Sequence, residues 1–155
     1  MRRRPVRAWL GLGSNLGGPR AKLARALREL RRLPATVLLA STDPRWTKPL
    51  GSVRQPDFLN CAALVRTALS PMGLLTECKR LEALAGRRPG RRWGPRPLDI
   101  DILLYGEERV SGRWLTIPHR VALEREFVRR DLAELKAPSR NGKLPATPPR
   151  RKPHG

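Results

Sequence analysis

Asp99 and Asp101 are the residues of this chain best suited by type and spacing to do chemistry. The run Leu98-Asp99-Ile100-Asp101-Ile102-Leu103-Leu104-Tyr105 is rich in strand-forming residues and predicts a β-strand. Positions two apart in a strand share a face, which puts both carboxylates on one side, about 7 Å apart, with Leu98, Ile100 and Ile102 turned to the core. Carboxylates that close can share one or two divalent ions, and magnesium is commonly held by one or two carboxylates together with substrate phosphates and water. Taken alone, the spacing also fits a strand with one solvated face. The company of the pair favours the ligand reading: acidic residues number 13 against 33 basic ones, yet these two follow Arg87, Arg88, Arg91, Arg92 and Arg96. Guanidinium groups neutralise phosphate oxygens that a metal does not reach.

Other features carry less. Gly11-Leu12-Gly13-Ser14-Asn15-Leu16-Gly17-Gly18 is neither GxGxxG nor a P-loop with its GK[ST] ending, but it suits a sharp turn or a close approach of backbone to ligand. His119 follows Ile117-Pro118 near a strand end, where a lone histidine is more often structural. Trp93, among arginines, is either a stacking surface for a base or a loop anchor. Cys61 and Cys78 make neither a disulfide framework nor paired metal knuckles, so buried thiols in the reducing cytoplasm are expected. No segment approaches the roughly 20 apolar residues of a membrane span, and Ala8–Leu12 is shorter than a signal-peptide core of about 7–15 residues. The net charge of +20 implies an anionic partner, although only six of the 33 basic residues are lysines and a general habit of arginine usage accounts for part of the excess.

The elements that must position these groups follow from periodicity. With 155 residues and 39% apolar content the chain suits one domain with a core. Val6, Ala8, Leu10 and Leu12 alternate as a strand running into the glycine-rich turn. Leu23, Leu27 and Leu30 give a helical stripe from Pro19 towards Pro34. Val37–Ala40 and Phe58–Leu69 hold two further strands with a long polar loop between them. Ser70-Pro71 is an N-cap followed by proline at the first helical position, opening a second helix that Gly86 stops. The Asp99 strand comes next, then a hairpin-like piece around Gly106–Ile117 and a helix within Glu124–Leu135. The order β-α-β-β-α-β predicts an α+β, ferredoxin-like split βαβ fold, with helices packed on a mostly antiparallel sheet. Residues 1–135 are expected to form the folded domain, and 136–155, with six basic residues, no acidic ones and five prolines, a flexible tail.

In combination the motifs are specific. Leu10-Gly11-Leu12-Gly13-Ser14-Asn15-Leu16-Gly17, Pro49-Leu50-Gly51, Gln55-Pro56-Asp57-Phe58-Leu59-Asn60, Arg92-Trp93-Gly94-Pro95-Arg96-Pro97-Leu98-Asp99-Ile100-Asp101 and Ile117-Pro118-His119 occur in an order and spacing that resembles the 6-hydroxymethyl-7,8-dihydropterin pyrophosphokinase family of folate biosynthesis. The likeness covers roughly Val6–Leu135. It implies transfer of the β,γ-pyrophosphoryl group of ATP to a pterin hydroxymethyl oxygen with release of AMP, by a monomer and with magnesium as cofactor. By that likeness Asp99 and Asp101 hold two Mg2+ ions and Arg87 and Arg96 are catalytic. Glu82, Ile102, Thr116, His119 and Arg125 match positions lining the ATP site, while Arg92 and Trp93 belong to a loop closing over the substrates. Gly13, Thr47, Leu50, Phe58, Asn60 and Phe127 match the pterin site, where two rings sandwich a flat heterocycle and Asn60 serves its polar edge. Without the resemblance both phenylalanines read as core.

The sequence departs from the family pattern at Lys48, at Arg120 and at Arg129-Arg130-Asp131, which replaces a more apolar stretch, and the family's loop lysine has no assignable counterpart. Two other readings compete: a small basic nucleic-acid-binding protein, using Arg2–Arg4 and the tail, and a metal-dependent nuclease built on the same aspartates. The low aromatic content, 5%, argues mildly against single-strand stacking.

Overall fold

The computed structural model describes residues 3–87 and 94–138. Four long strands form the centre: β1 (Val6–Ser14), β2 (Thr36–Ser41), β4 (Phe58–Thr67) and β5 (Asp99–Tyr105), in the order β2-β4-β1-β5 with every pairing antiparallel. Two helices link them, α1 (Pro19–Leu30) and α2 (Pro71–Leu84). This is the ferredoxin-like arrangement that the order of elements predicts.

One strand escaped the sequence. β3 (Arg45–Thr47) lies inside the expected polar loop and pairs with the first residues of β4, with Arg45 opposite Asn60 and Thr47 opposite Phe58. Three polar and aromatic residues give no usable period. After β5 come the short hairpin strands β6 (Val110–Ser111) and β7 (Thr116–Ile117), the single turn α3 (Arg120–Leu123) and α4 (Glu126–Glu134).

Helices cover both faces of the sheet. On one face α1 and α2 bury Leu23, Ala26, Leu30, Leu74, Cys78 and Leu81 against Ala8, Leu10, Leu12, Val65, Ile100 and Ile102. On the other, α4 sets Val128 and Leu132 against Trp9, Ala62, Leu64, Leu103 and Leu104. The sheet is therefore a middle layer, and β1 is buried on both sides rather than on one. β5 carries an irregularity: Trp9 pairs with Leu104 and Leu10 with Ile102, so Leu103 is an inserted residue. That bulge lets Leu103 and Leu104 both join the α4 side of the core.

The helix ends behave as local chemistry dictates. Gly18, at φ 76°, turns the chain into Pro19. The Ser70 hydroxyl accepts from the Gly73 N–H at 3.0 Å, and Gly86, at φ 95°, ends the following turn. Among the described residues no helix is long and apolar enough to cross a membrane. Replacing Ser70→Ala removes the cap far from any cleft; stability measured by urea unfolding should fall by about 1 kcal/mol, with the slope of the transition unchanged.

Candidate active site

The α4 side of the sheet is only partly covered, and the gap is a cleft of about 330 Å³. Its floor is β1. Gly11 and Gly13 lie between Ala62 and Asn60 of β4 on one side and Asp101 and Asp99 of β5 on the other. A side chain at Gly13 would put its Cβ 2.8 Å from Asn60 Oδ1, so glycine is required for the Asn60 amide to lie across the strand. These two glycines are thus strand residues, and the turn itself falls to Gly17 and Gly18.

One end of the cleft is charged. Asp99 and Asp101 both face it, as their spacing predicts. Arg87 Nη1 bridges Asp99 Oδ1 and Glu82 Oε2, each at 2.7 Å. His119 Nε2 stands 3.6 Å from Asp101 Oδ1, and its Nδ1 accepts from the Ala122 N–H at 3.1 Å, capping α3. That acceptor role leaves the neutral ring's proton on Nε2, facing Asp101. Burial, then the negative charge of Asp101, pushes the Asp99 carboxyl up to about 6 against the opposing pull of Arg87. Hydrogen bonding to Asp101 raises His119 as well. Two hard carboxylate oxygen donors that repel one another fit a Mg2+ ion. Among the described residues no group of three or more His, Cys, Asp or Glu side chains is placed to hold a metal, so an ion at this pair would need phosphate or water oxygens to complete its coordination.

The β4 side of the floor carries aromatic and amide groups. Phe58, Leu50 and Phe127 line it together with Thr47, opposite Phe58 in the β3–β4 pair, and Asn60. Asn60 Nδ2 donates to Thr47 Oγ1, which leaves Oδ1 over Gly13. The Arg125 guanidinium stacks 4.8 Å from the centre of the Phe127 ring and donates to the Lys48 carbonyl at 3.1 Å. It therefore occupies one face of Phe127, and burial lowers its pKa.

Most residues singled out from the sequence meet in this cleft: Gly13, Thr47, Leu50, Phe58, Asn60, Arg87, Arg96, Asp99, Asp101, His119, Arg125 and Phe127. Three do not line it. Glu82 is 2% exposed and lies behind Arg87, where it also accepts from the Ile100 N–H at 2.8 Å. It orients Arg87 and pins β5. Ile102 points into the opposite core and Thr116 is exposed on β7. Arg92 and Trp93 lie outside the described residues, as do residues 139–155 of the expected tail.

Two contributors went unrecognised in the sequence. Asn15 is buried and donates to Gln55 Oε1 and the Pro56 carbonyl, both at 2.9 Å, while its Oδ1 accepts from the Arg96 N–H at 2.8 Å. It ties the segments carrying Pro56 and Arg96 to the end of β1. Asp131, read only as a departure within the last helix, lines the cleft from α4.

Fold and cleft together define a ferredoxin-like α+β protein whose central sheet carries a paired-carboxylate end and an aromatic end across a glycine floor. The model of the 7,8-dihydro-6-hydroxymethylpterin-pyrophosphokinase family matches residues 9–137, and the chain belongs to that family. It is 46% identical over 130 residues to the 2-amino-4-hydroxy-6-hydroxymethyldihydropteridine pyrophosphokinase of Methylorubrum extorquens, covering 84% of this chain and 82% of the relative. The protein of the same name from Haemophilus influenzae is 46% identical over 123 residues, covering 79% and 77%. That of Pseudomonas aeruginosa is 42% identical over 129 residues, covering 83% and 80%.

The raised Asp99 pKa has a consequence for stability. Folding favours the protonated acid, so this contribution is complete below the ordinary carboxylate range and is lost as pH rises through about 6. With chelator present, Asp99→Asn should therefore raise Tm at pH 7.5 and change it little at pH 4. Equal shifts at both pH values would exclude charge as the cause.

Proposed function

We propose that the protein transfers the β,γ-pyrophosphoryl group of ATP to the hydroxymethyl oxygen of 6-hydroxymethyl-7,8-dihydropterin, forming the pterin diphosphate and AMP in folate biosynthesis. The observation that carries this reading is the juxtaposition, within one cleft, of the Asp99–Asp101 pair and the Phe58–Asn60 wall on opposite sides of the Gly11–Gly13 floor. Family membership supplies the reaction. In it the hydroxymethyl oxygen bonds to the β phosphorus, the bridging oxygen leaves on the α phosphate as AMP, and the hydroxyl proton is released.

Such transfers need positioning and charge neutralisation more than covalent help from the protein. Phe58 and the open face of Phe127 hold the flat ring, and Asn60 and Thr47 read its polar edge. The hydroxymethyl group then faces the charged end. Arg87, held by Glu82, and Arg96, held through its backbone by Asn15, stand where charge accumulates on the polyphosphate. Arg125 and His119 line the same cleft on the side of α3. Asp99 and Asp101 would hold two Mg2+ ions, which when bound offset phosphate charge and orient the polyphosphate. Arg92 and Trp93 lie outside the described residues, and the family resemblance assigns them to the loop that closes over the substrates.

The test is incubation with Mg2+, ATP and hydroxymethyl-dihydropterin, with AMP as the readout. Absence of AMP above background, with RNA or duplex cleaved instead, would refute the reading. Loss of one preorganised charge at a reacting centre costs about 2.7–4 kcal/mol, so Asp99→Asn and Asp101→Asn should each lower turnover about a hundredfold or more. A rate close to wild type in either variant would remove that aspartate from the metal site. Phe58→Ala should weaken pterin binding more than ATP binding, and equal losses would indicate a damaged fold.

A further inference from the structure

Asp131 has no task in the reaction above. It lies one helical turn after Phe127 on the inward side of α4, is 5% exposed and lines the cleft together with Ala62 and Val128. Burying a carboxylate is costly unless it is paired or hydrogen-bonded. Among the described residues no cation comes within ion-pairing distance of Asp131. Arg45, the basic side chain acting on it most strongly, spends Nη2 on Glu134 at 2.6 Å, and its buried Nη1 has no hydrogen-bond partner. Burial pushes Asp131 up to about 6; Arg45, Arg130 and the Thr42 hydroxyl resist the rise and Glu134 adds to it. The Thr42 hydroxyl oxygen accepts from the Ala62 N–H at 2.9 Å and keeps its own proton to donate to Asp131, one neutral donor for two carboxylate oxygens.

A buried carboxyl that lines a cleft, with one hydroxyl donor and no paired cation, keeps acceptor capacity for further donors. The donors that match a carboxylate best are two parallel N–H groups, as on an amino-substituted ring carrying an adjacent ring N–H. The 2-amino and N3–H edge of a pterin has that form. We propose that Asp131 is a substrate-recognition residue, accepting hydrogen bonds from the amino and ring N–H edge of the heterocycle held between Phe58 and Phe127. The proposal rests on the pterin reading given above, and extends it to a residue at which this chain departs from the family pattern.

The experiment compares wild type with Asp131→Asn, which keeps the side chain's shape and one acceptor. Three quantities are read: KM for the pterin and for ATP, Tm at pH 7.5, and direct fluorescence binding of the pterin and of its 2-deamino analogue. A hydrogen bond to a charged group supports a loss of about tenfold to a hundredfold. Expected are a pterin KM and dissociation constant raised by about tenfold or more, an ATP KM changed less than twofold, and an unchanged or higher Tm. The preference of wild type for the amino over the deamino compound should shrink towards one in the variant.

An unchanged pterin affinity, or an unchanged amino preference, overturns the proposal. So does a lowered Tm with KM raised equally for both substrates, which would make Asp131 a purely structural residue. If wild type binds the pterin but produces no AMP, the pyrophosphokinase reading fails while the binding comparison still decides the role of Asp131. If wild type binds no pterin, both fail.

Discussion

Two like charges held side by side on one strand are the constraint around which this protein is arranged. Asp99 and Asp101 share a face because β-strands repeat every two residues, and the charge on Asp101 raises the cost of ionising Asp99. The structure offsets that cost on both flanks, with Arg87 against Asp99 and His119 facing Asp101. Glu82 then balances Arg87 from the interior, while its second role, accepting the Ile100 N–H, locks the backbone between the two aspartates. A charge network that begins in the helical layer thus ends in the cleft. Two carboxylates beside one guanidinium leave that end of the cleft with negative charge that a cation would offset.

The rest of the fold makes room for that pair. A sheet buried on both faces would ordinarily leave no cavity. Here glycines at alternate positions of β1 remove side chains from the face on which Asn60 and the aspartates stand, and α4 reaches only part of that face. The bulge at Leu103 marks the boundary: before it the outward face of β5 is acidic and open, after it two leucines close the core under α4. Asn15 connects the segments carrying Pro56 and Arg96, which cannot move apart without breaking its partly buried hydrogen bonds.

The large positive charge is only partly a property of the site. Arg87, Arg96 and Arg125 line the cleft, but Arg20, Arg25, Arg28, Arg31 and Arg32 lie exposed on and just after α1, on the opposite side of the sheet. Those five charges are solvated surface, screened over about 8–10 Å at physiological salt. They raise the general potential for anions without touching the reacting groups.

Local pattern was enough for much of this. The period of two placed the aspartates on one face, the helical stripes and the Ser70 cap gave α1 and α2, and the order of elements gave the ferredoxin-like topology, because each of these is a short-range property of backbone and side chain. The motif combination, through its resemblance, pointed to most cleft residues, including Phe58 and Phe127, which periodicity alone assigns to the core. Tertiary structure decided what long-range register alone can: that β3 exists as an edge partner of β4, that Glu82 acts from behind Arg87 rather than in the cleft, that Asn15 connects the segments carrying Pro56 and Arg96, and that Asp131 opens into the cleft. Those facts depend on which strand lies beside which and on how far α4 extends across the sheet. No window of neighbouring residues contains that information.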